Sequence, residues 1–191
     1  MKYLLVLLTF MYSCSFVSAQ SRFLPNQLTV QHGGGIGWLS VGVGYKNRTD
    51  KFNIALLYGY VPPSEGGQLD IFTLKAGYNP FSIKTVKGIV WKPLNPVAFL
   101  SYTTNEHFYT SWPGSRYPDD YYWWSSAFRM HVGLQSSLVF NLPAKACARS
   151  ATMYIEMSTN DLYISSYLSN RKYLSLYDIS VLSAGVKLNL R

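Results

Sequence analysis

The chain has 191 residues, 48% of them hydrophobic, 16% aromatic and only 14% charged, with a formal charge of +8. The charged share is well below the about 25% usual for soluble domains, and the 16 tyrosines outnumber the 9 acidic residues. Such apolar content excludes a disordered chain, the absence of a Gly-X-Y period, a heptad or a roughly 30-residue repeat excludes collagen, coiled coil and solenoid, and the length fits one domain.

Met1-Lys2 and the run Tyr3–Phe10 form a short positive n-region and an apolar h-region, and Val17-Ser18-Ala19 supplies small residues for cleavage. Residues 1–19 therefore read as a signal peptide and 20–191 as the folded domain. The apolar run is too short to span a bilayer as a helix, which needs about 20 residues. A lipoprotein reading would acylate Cys14, but the bulky Tyr12 just before it suits such a site poorly. Cleavage after Ala19 leaves Cys147 alone, so no intramolecular disulfide is expected. One cysteine and the dispersed His32, His107 and His131 offer no zinc set; no metal or cofactor is expected.

Beyond the leader, apolar residues recur at every second position. Leu39, Val41, Val43 and Tyr45 oppose Ser40, Gly42 and Gly44; Ile54, Leu56, Tyr58 and Tyr60 oppose Asn53, Ala55, Leu57 and Gly59. Phe72, Leu74 and Ala76 oppose Ile71, Thr73, Lys75 and Gly77, and Met130, Val132 and Leu134 oppose Arg129, His131, Gly133 and Gln135. The same holds for Met153, Ile155 and Met157 against Tyr154 and Glu156, and for Ala184, Val186 and Leu188 against Gly185, Lys187 and Asn189. Side chains alternate across a strand, so every segment has one apolar face and one small or polar face.

A soluble sandwich or lipocalin-like barrel shows the same period. The difference lies in the mid-segment charges: Lys75, Arg129, Glu156 and Lys187 all fall on the faces rich in Gly, Ser and Gln. A lipid-facing outside and a polar lumen require that arrangement, and Tyr45, Tyr60, Tyr78 and Tyr102 at segment ends suit an aromatic girdle. The segments 27–32, 36–46, 52–61, 69–79, 95–103, 125–140, 150–158 and 177–190 give an all-β, eight-stranded antiparallel up-and-down transmembrane barrel. With both ends of the domain in the periplasm, the long connections 103–124 and 159–176 lie outside the cell, which supports the even count. Eight strands enclose a space that side chains fill, so no porin activity is expected.

The stretch Ser183-Ala184-Gly185-Val186-Lys187-Leu188-Asn189-Leu190 resembles the C-terminal assembly signal of outer-membrane proteins, though it is followed by Arg191 and lacks the terminal aromatic residue. With Leu57-Tyr58-Gly59-Tyr60-Val61-Pro62 and Thr159-Asn160-Asp161-Leu162-Tyr163, residues 20–191 resemble small outer-membrane barrels of Bacteroidota-type bacteria. That resemblance implies the bacterial outer membrane, contact with its lipids and folding through the barrel assembly machinery; it implies no reaction. The basic surplus, in connections such as Lys46, Arg48, Lys51, Lys84, Lys87, Lys92, Lys145 and Arg149, then faces anionic lipid headgroups rather than nucleic acid.

Three groups of candidate site residues follow. Arg129, Glu156 and Lys187 on neighbouring strands, with Lys75, form a set of lumen charges that must pair, because an isolated buried charge is very costly. The connection 103–124 carries eight aromatic residues beside acidic ones. Tyr109, Trp112, Tyr117, Asp119, Asp120, Tyr121 and Trp123 could cover the barrel mouth or bind a sugar or lipid headgroup. Finally, His32 before Gly33-Gly34-Gly35-Ile36-Gly37 is faintly similar to the lipid A palmitoyltransferase, an eight-stranded barrel with histidine, aspartate and serine near its outer surface. His32 and Ser64 would be the catalytic pair of that alternative, a lipid A acyltransferase or acylhydrolase. Pro62-Pro63-Ser64-Glu65 lacks the family's adjacent Asp-Ser.

Overall fold

A strand needs one face that can be buried, and the period-two segments supply it. The computed structural model describes residues 24–85, 88–104 and 125–190. Within them run β1 (Gln27–Gly33), β2 (Leu39–Lys46), β3 (Phe52–Val61), β4 (Leu69–Tyr78), β5 (Ile83–Lys84), β6 (Val90–Thr104), β7 (Phe128–Asn141), β8 (Ala148–Asn160), α1 (Asp161–Ser169) and β9 (Val181–Leu190). Every pairing is antiparallel, and each long strand pairs with its neighbours in sequence. β1 also pairs with β9, for example Val30 with Val186, so eight strands close into a ring and leave the two-residue β5 outside it. Closure removes the unpaired edges of an open sheet. The expected all-β, eight-stranded antiparallel barrel is the observed fold.

The alternation sorts side chains as the sequence implies. Gln27, Thr29, Gln31, Thr73, Lys75, Gln135, Glu156 and Lys187 are buried inside the ring. Large apolar residues point the other way, with Leu56 58% and Ile155 64% exposed. One end of the barrel carries the tight turns 47–51 and 142–147, and we call it the turn end; the other carries the longer connections and is the loop end. At the turn end, the Asn47 side-chain oxygen accepts from the Lys51 and Phe52 amides at 3.0 and 3.1 Å, while Asp50 takes a left-handed φ of 58°.

Three departures from the segments read in the sequence matter most; the segments read as 125–140, 150–158 and 177–190 also shift by a few residues, to Phe128–Asn141, Ala148–Asn160 and Val181–Leu190. β2 begins at Leu39 rather than 36, because residues 34–38 turn into the barrel. Gly33, Gly34 and Gly37 have φ of 75°, 79° and 125°, values that side-chain-bearing residues rarely adopt. This lets Ile36 reach 0% exposure against Ala55, Leu57, Val97 and Phe99. Gly59 is needed opposite, where a Cβ would stand 1.8 Å from the Ile36 carbonyl oxygen.

Second, β6 extends down to Val90 and pairs there with β5, its register with β7 shifting between Lys92 and Asn95. Pro93 lies inside that irregularity and offers no amide to the ladder. Lys92, expected in a connection, is thereby turned inward and buried.

Third, the connection 159–176 contains the helix α1. Asn160, in extended conformation, accepts from the Tyr163 amide at 2.8 Å, and Asp161 occupies the first turn, the standard helix-start chemistry. Beyond α1, the Ser175 amide and hydroxyl donate to Asp178 Oδ2 at 2.8 and 2.7 Å. These bonds hold the Asp178 carboxyl below its usual range, the backbone one most. A depressed folded-state value means that this turn is fully formed above the ordinary carboxylate range and opens only as pH falls through the lower folded value. The Ser175 amide resonance is expected to titrate below that range; a midpoint within it would remove the Asp178 cap from the account.

Candidate functional site in the barrel lumen

The centre of the lumen is a polar network drawn from several walls. Lys75 on β4 places Nζ 2.6 Å from Glu156 Oε2 and 2.7 Å from Oε1, and also donates to Gln31 Oε1 at 2.9 Å. Tyr154 donates its hydroxyl to the same Gln31 oxygen at 2.8 Å. Gln135 Nε2 reaches Glu156 Oε2 at 3.4 Å, and Lys187 Nζ donates to Gln135 Oε1 at 3.2 Å. Glu156 is only 1% exposed. A charge so far from water requires this density of partners. The Lys75 and Lys187 ammoniums also lie over aromatic rings, Lys75 5.1 Å from Phe99 and Lys187 4.9 Å from Tyr154. Gly185 makes room for Tyr154: a Cβ there would meet the ring at 2.5 Å.

Of the lumen charges read from the sequence, the structure brings Lys75 and Glu156 together and links Lys187 to them through Gln135. Arg129 is placed elsewhere. It lies far up β7 from Gln135, the residue opposite Glu156, and donates to the carbonyls of Ser125 and Phe128 at 2.6 and 2.9 Å. Asp161 Oδ2 stands 4.0 Å away, at the limit of an ion pair.

A second polar pair lies toward the loop end. Ser101 Oγ and His131 Nε2 are 2.9 Å apart, and His131 stacks on Phe99 with centroids 4.4 Å apart. Nucleophile and base stand at hydrogen-bond distance, as acyl transfer requires. Both are buried, however, and the backbone of Gly35 covers the imidazole so closely that a Cβ would fall 2.4 Å from it. The pair packs the interior and offers no surface to a substrate.

His32 and Ser64 lie at the loop end, both exposed. The His32 ring meets Trp38 edge-on at 5.1 Å, on an apolar outer groove of about 600 Å³ that includes Val30, Leu39, Met153 and Ile155. Ser64 sits in a one-turn 3-10 helix, Pro63–Glu65, away from that groove. No hydrogen bond joins the two among the described residues. Tyr109, Trp112, Tyr117, Asp119, Asp120, Tyr121 and Trp123, like residues 1–19, which the sequence reads as a signal peptide, lie outside the described residues. No cluster of potential metal ligands occurs among those described.

Gln31, Ser101 and Tyr154 were not singled out from the sequence as site residues. Their signal was the alternation itself, which puts Gln27, Thr29 and Gln31 on one face of β1 and Tyr154 beside Glu156 on the inner face of β8. Asp50 carried no such signal, since it reaches the lumen from a turn.

Fold and lumen together define the class: a closed up-and-down barrel of eight antiparallel strands whose interior is occupied by hydrogen-bonded polar and charged side chains. No family model, no curated protein and no solved structure matches this chain.

Proposed function

We propose that this chain is an integral outer-membrane β-barrel that keeps its lumen shut and acts structurally or through its loop-end segments. The observation that carries the reading is the inverted distribution of side chains. Val41, Leu56, Leu74, Val132, Ile155 and Leu182, on strands all around the ring, are exposed outward, while Lys75, Lys92, Glu156 and Lys187 are inside. Water does not tolerate an apolar belt of that extent on a monomeric protein, whereas lipid requires one. Phe52 stacked on Tyr78 at the turn end and Tyr102 beside Phe128 at the loop end, with centroids 4.7 and 4.8 Å apart, suit the two interfaces of a bilayer.

On this reading the turn end faces the periplasm, and Lys46, Arg48, Lys51, Lys84, Lys145 and Arg149 meet anionic headgroups there. Outer-membrane lipids are the standing partners and the barrel assembly machinery a transient one. Kinship with the small barrels of Bacteroidota-type bacteria belongs to the same proposal, resting on the sequence patterns at 57–62, 159–163 and 183–190. The polar network and the inturned Ile36 fill the lumen, which argues against a pore.

Two measurements test this. The protein is expected in the outer-membrane fraction, migrating on SDS gels at a different position before and after boiling. Reconstituted in planar bilayers, it is expected to give no steady conductance. A soluble periplasmic protein with no heat-dependent shift would overturn the membrane location, and stable channels would overturn the closed lumen. Lipid A mass spectra are expected to be the same with the parent chain and with His32→Ala or Ser64→Ala, since nothing observed joins those two residues.

A further inference from the structure

At the turn end of the lumen lies a cavity of about 20 Å³, room for one occupant of roughly water size. Its charged lining consists of Lys46, Lys92, Lys187 and Asp50. Asp50 is already shared: Lys92 Nζ stands 2.6 Å from Oδ2 and Lys46 Nζ 3.3 Å from Oδ1. Lys187 is 7% exposed, and its ammonium donates to a neutral amide oxygen, that of Gln135. Among the described residues no carboxylate lies within ion-pair distance of it. Glu156, the other carboxylate of the lumen, is bound to Lys75.

A buried ammonium with only neutral partners is strongly disfavoured. Three ammoniums around one carboxylate leave an excess of positive charge facing a space that the protein does not fill. We infer that this cavity binds a monatomic anion of chloride's size, held by Lys187 Nζ and attracted by Lys92 and Lys46. So small a space suits a single-atom anion better than phosphate or a carboxylate, which need room for several atoms. The competing state is a neutral Lys187 amine beside a water that donates to Gln27 Oε1, a buried acceptor on the lining with no protein partner; that state satisfies the oxygen and needs no counter-charge. Lys46 and Asp50, both partly exposed, form the rim, so ions enter from the turn end without passing the Ile36 cap. This site goes beyond the closed-barrel role and does not depend on where the protein resides.

The test is thermal unfolding of the full chain, folded in detergent micelles, in sodium chloride and in sodium gluconate at equal pH and ionic strength. Chloride is expected to raise the midpoint saturably by about 2–4 °C, bromide to substitute for it, and Lys187→Met to give the same midpoint in both salts. Equal midpoints for the parent chain, or an undiminished chloride response in Lys187→Met, would overturn the inference. If Lys187→Met fails to fold, crystals of the parent chain grown in sodium bromide decide the matter. An anomalous peak beside Lys187 Nζ is expected; water alone in the cavity, or bromide only on the outer surface, would overturn it.

Discussion

Replacing Glu156 with alanine is expected to destabilise the folded barrel by about 3–5 kcal/mol, the usual cost of removing one member of a buried ion pair. The loss comes less from the missing attraction than from what is left behind. Lys75 would retain Gln31 and the face of Phe99, neither of which balances an ammonium shielded from water. A chain of this size has about 5–15 kcal/mol of stability in total, so the variant should approach the limit of folding. The double variant Lys75→Met/Glu156→Leu fills similar volume without charge and is expected to recover most of the loss. Urea unfolding followed by the fraction of heat-modifiable protein measures both. A single variant as stable as the parent would mean that water reaches the pair and that the lumen is not closed around it.

Gly59→Ala is the second large effect, and its origin is steric. The new methyl would lie 1.8 Å from the Ile36 carbonyl oxygen and 2.7 Å from Ser40 Oγ. The first of these contacts is backbone, so no rotamer change relieves it. Either the strands part or residues 34–38 withdraw, and Ile36 then leaves its contacts with Leu57 and Phe99. Losing a buried isoleucine side chain costs about 2–5 kcal/mol, and withdrawal also uncaps the loop end of the lumen. Reduced unfolding midpoints together with new, flickering conductance in planar bilayers are therefore expected. Gly66→Ala is the contrast: φ is 125° but nothing lies within 4 Å of the added methyl. Backbone strain of about 1–2 kcal/mol is expected there, with no change in conductance.

The ring itself was legible because a strand's period fixes the face of each residue. The inward set on β3, β4, β7, β8 and β9 could be read residue by residue, and Lys75, Glu156 and Lys187 follow from it. What periodicity does not give is height. Strands in a barrel are tilted and staggered, so two inward residues on adjacent strands can be far apart along the axis while residues on distant strands meet. Arg129 and Glu156 illustrate the first case, Lys75 and Glu156 the second.

The inturned 34–38 segment was equally hard to read. Gly33-Gly34-Gly35 announces a turn but not its direction, and Ile36, an apolar residue on the same parity as Ser40, Gly42 and Gly44, has no evident partner until Ala55 and Leu57 are known to lie beside it. The start of α1, by contrast, is written in Asn160-Asp161. A single helical turn signal inside a long connection does not reveal how far the helix continues without a strong amphipathic stripe, and α1 buries no residue.

Gln31 touches both Lys75 of β4 and Tyr154 of β8 through one oxygen, while its own strand forms the closing seam with β9. That atom is a keystone. Neither half of the barrel can complete the lumen network alone, because the partners arrive only when the first and last strands have met. Closure and neutralisation of the interior are thus one event, and a half-zipped barrel is left with Lys75 and Glu156 open to solvent. The chain has little reason to pause in partly closed forms, and once shut, reopening the seam means separating contacts on several walls at once. Slow unfolding is the result expected from where one side-chain oxygen sits.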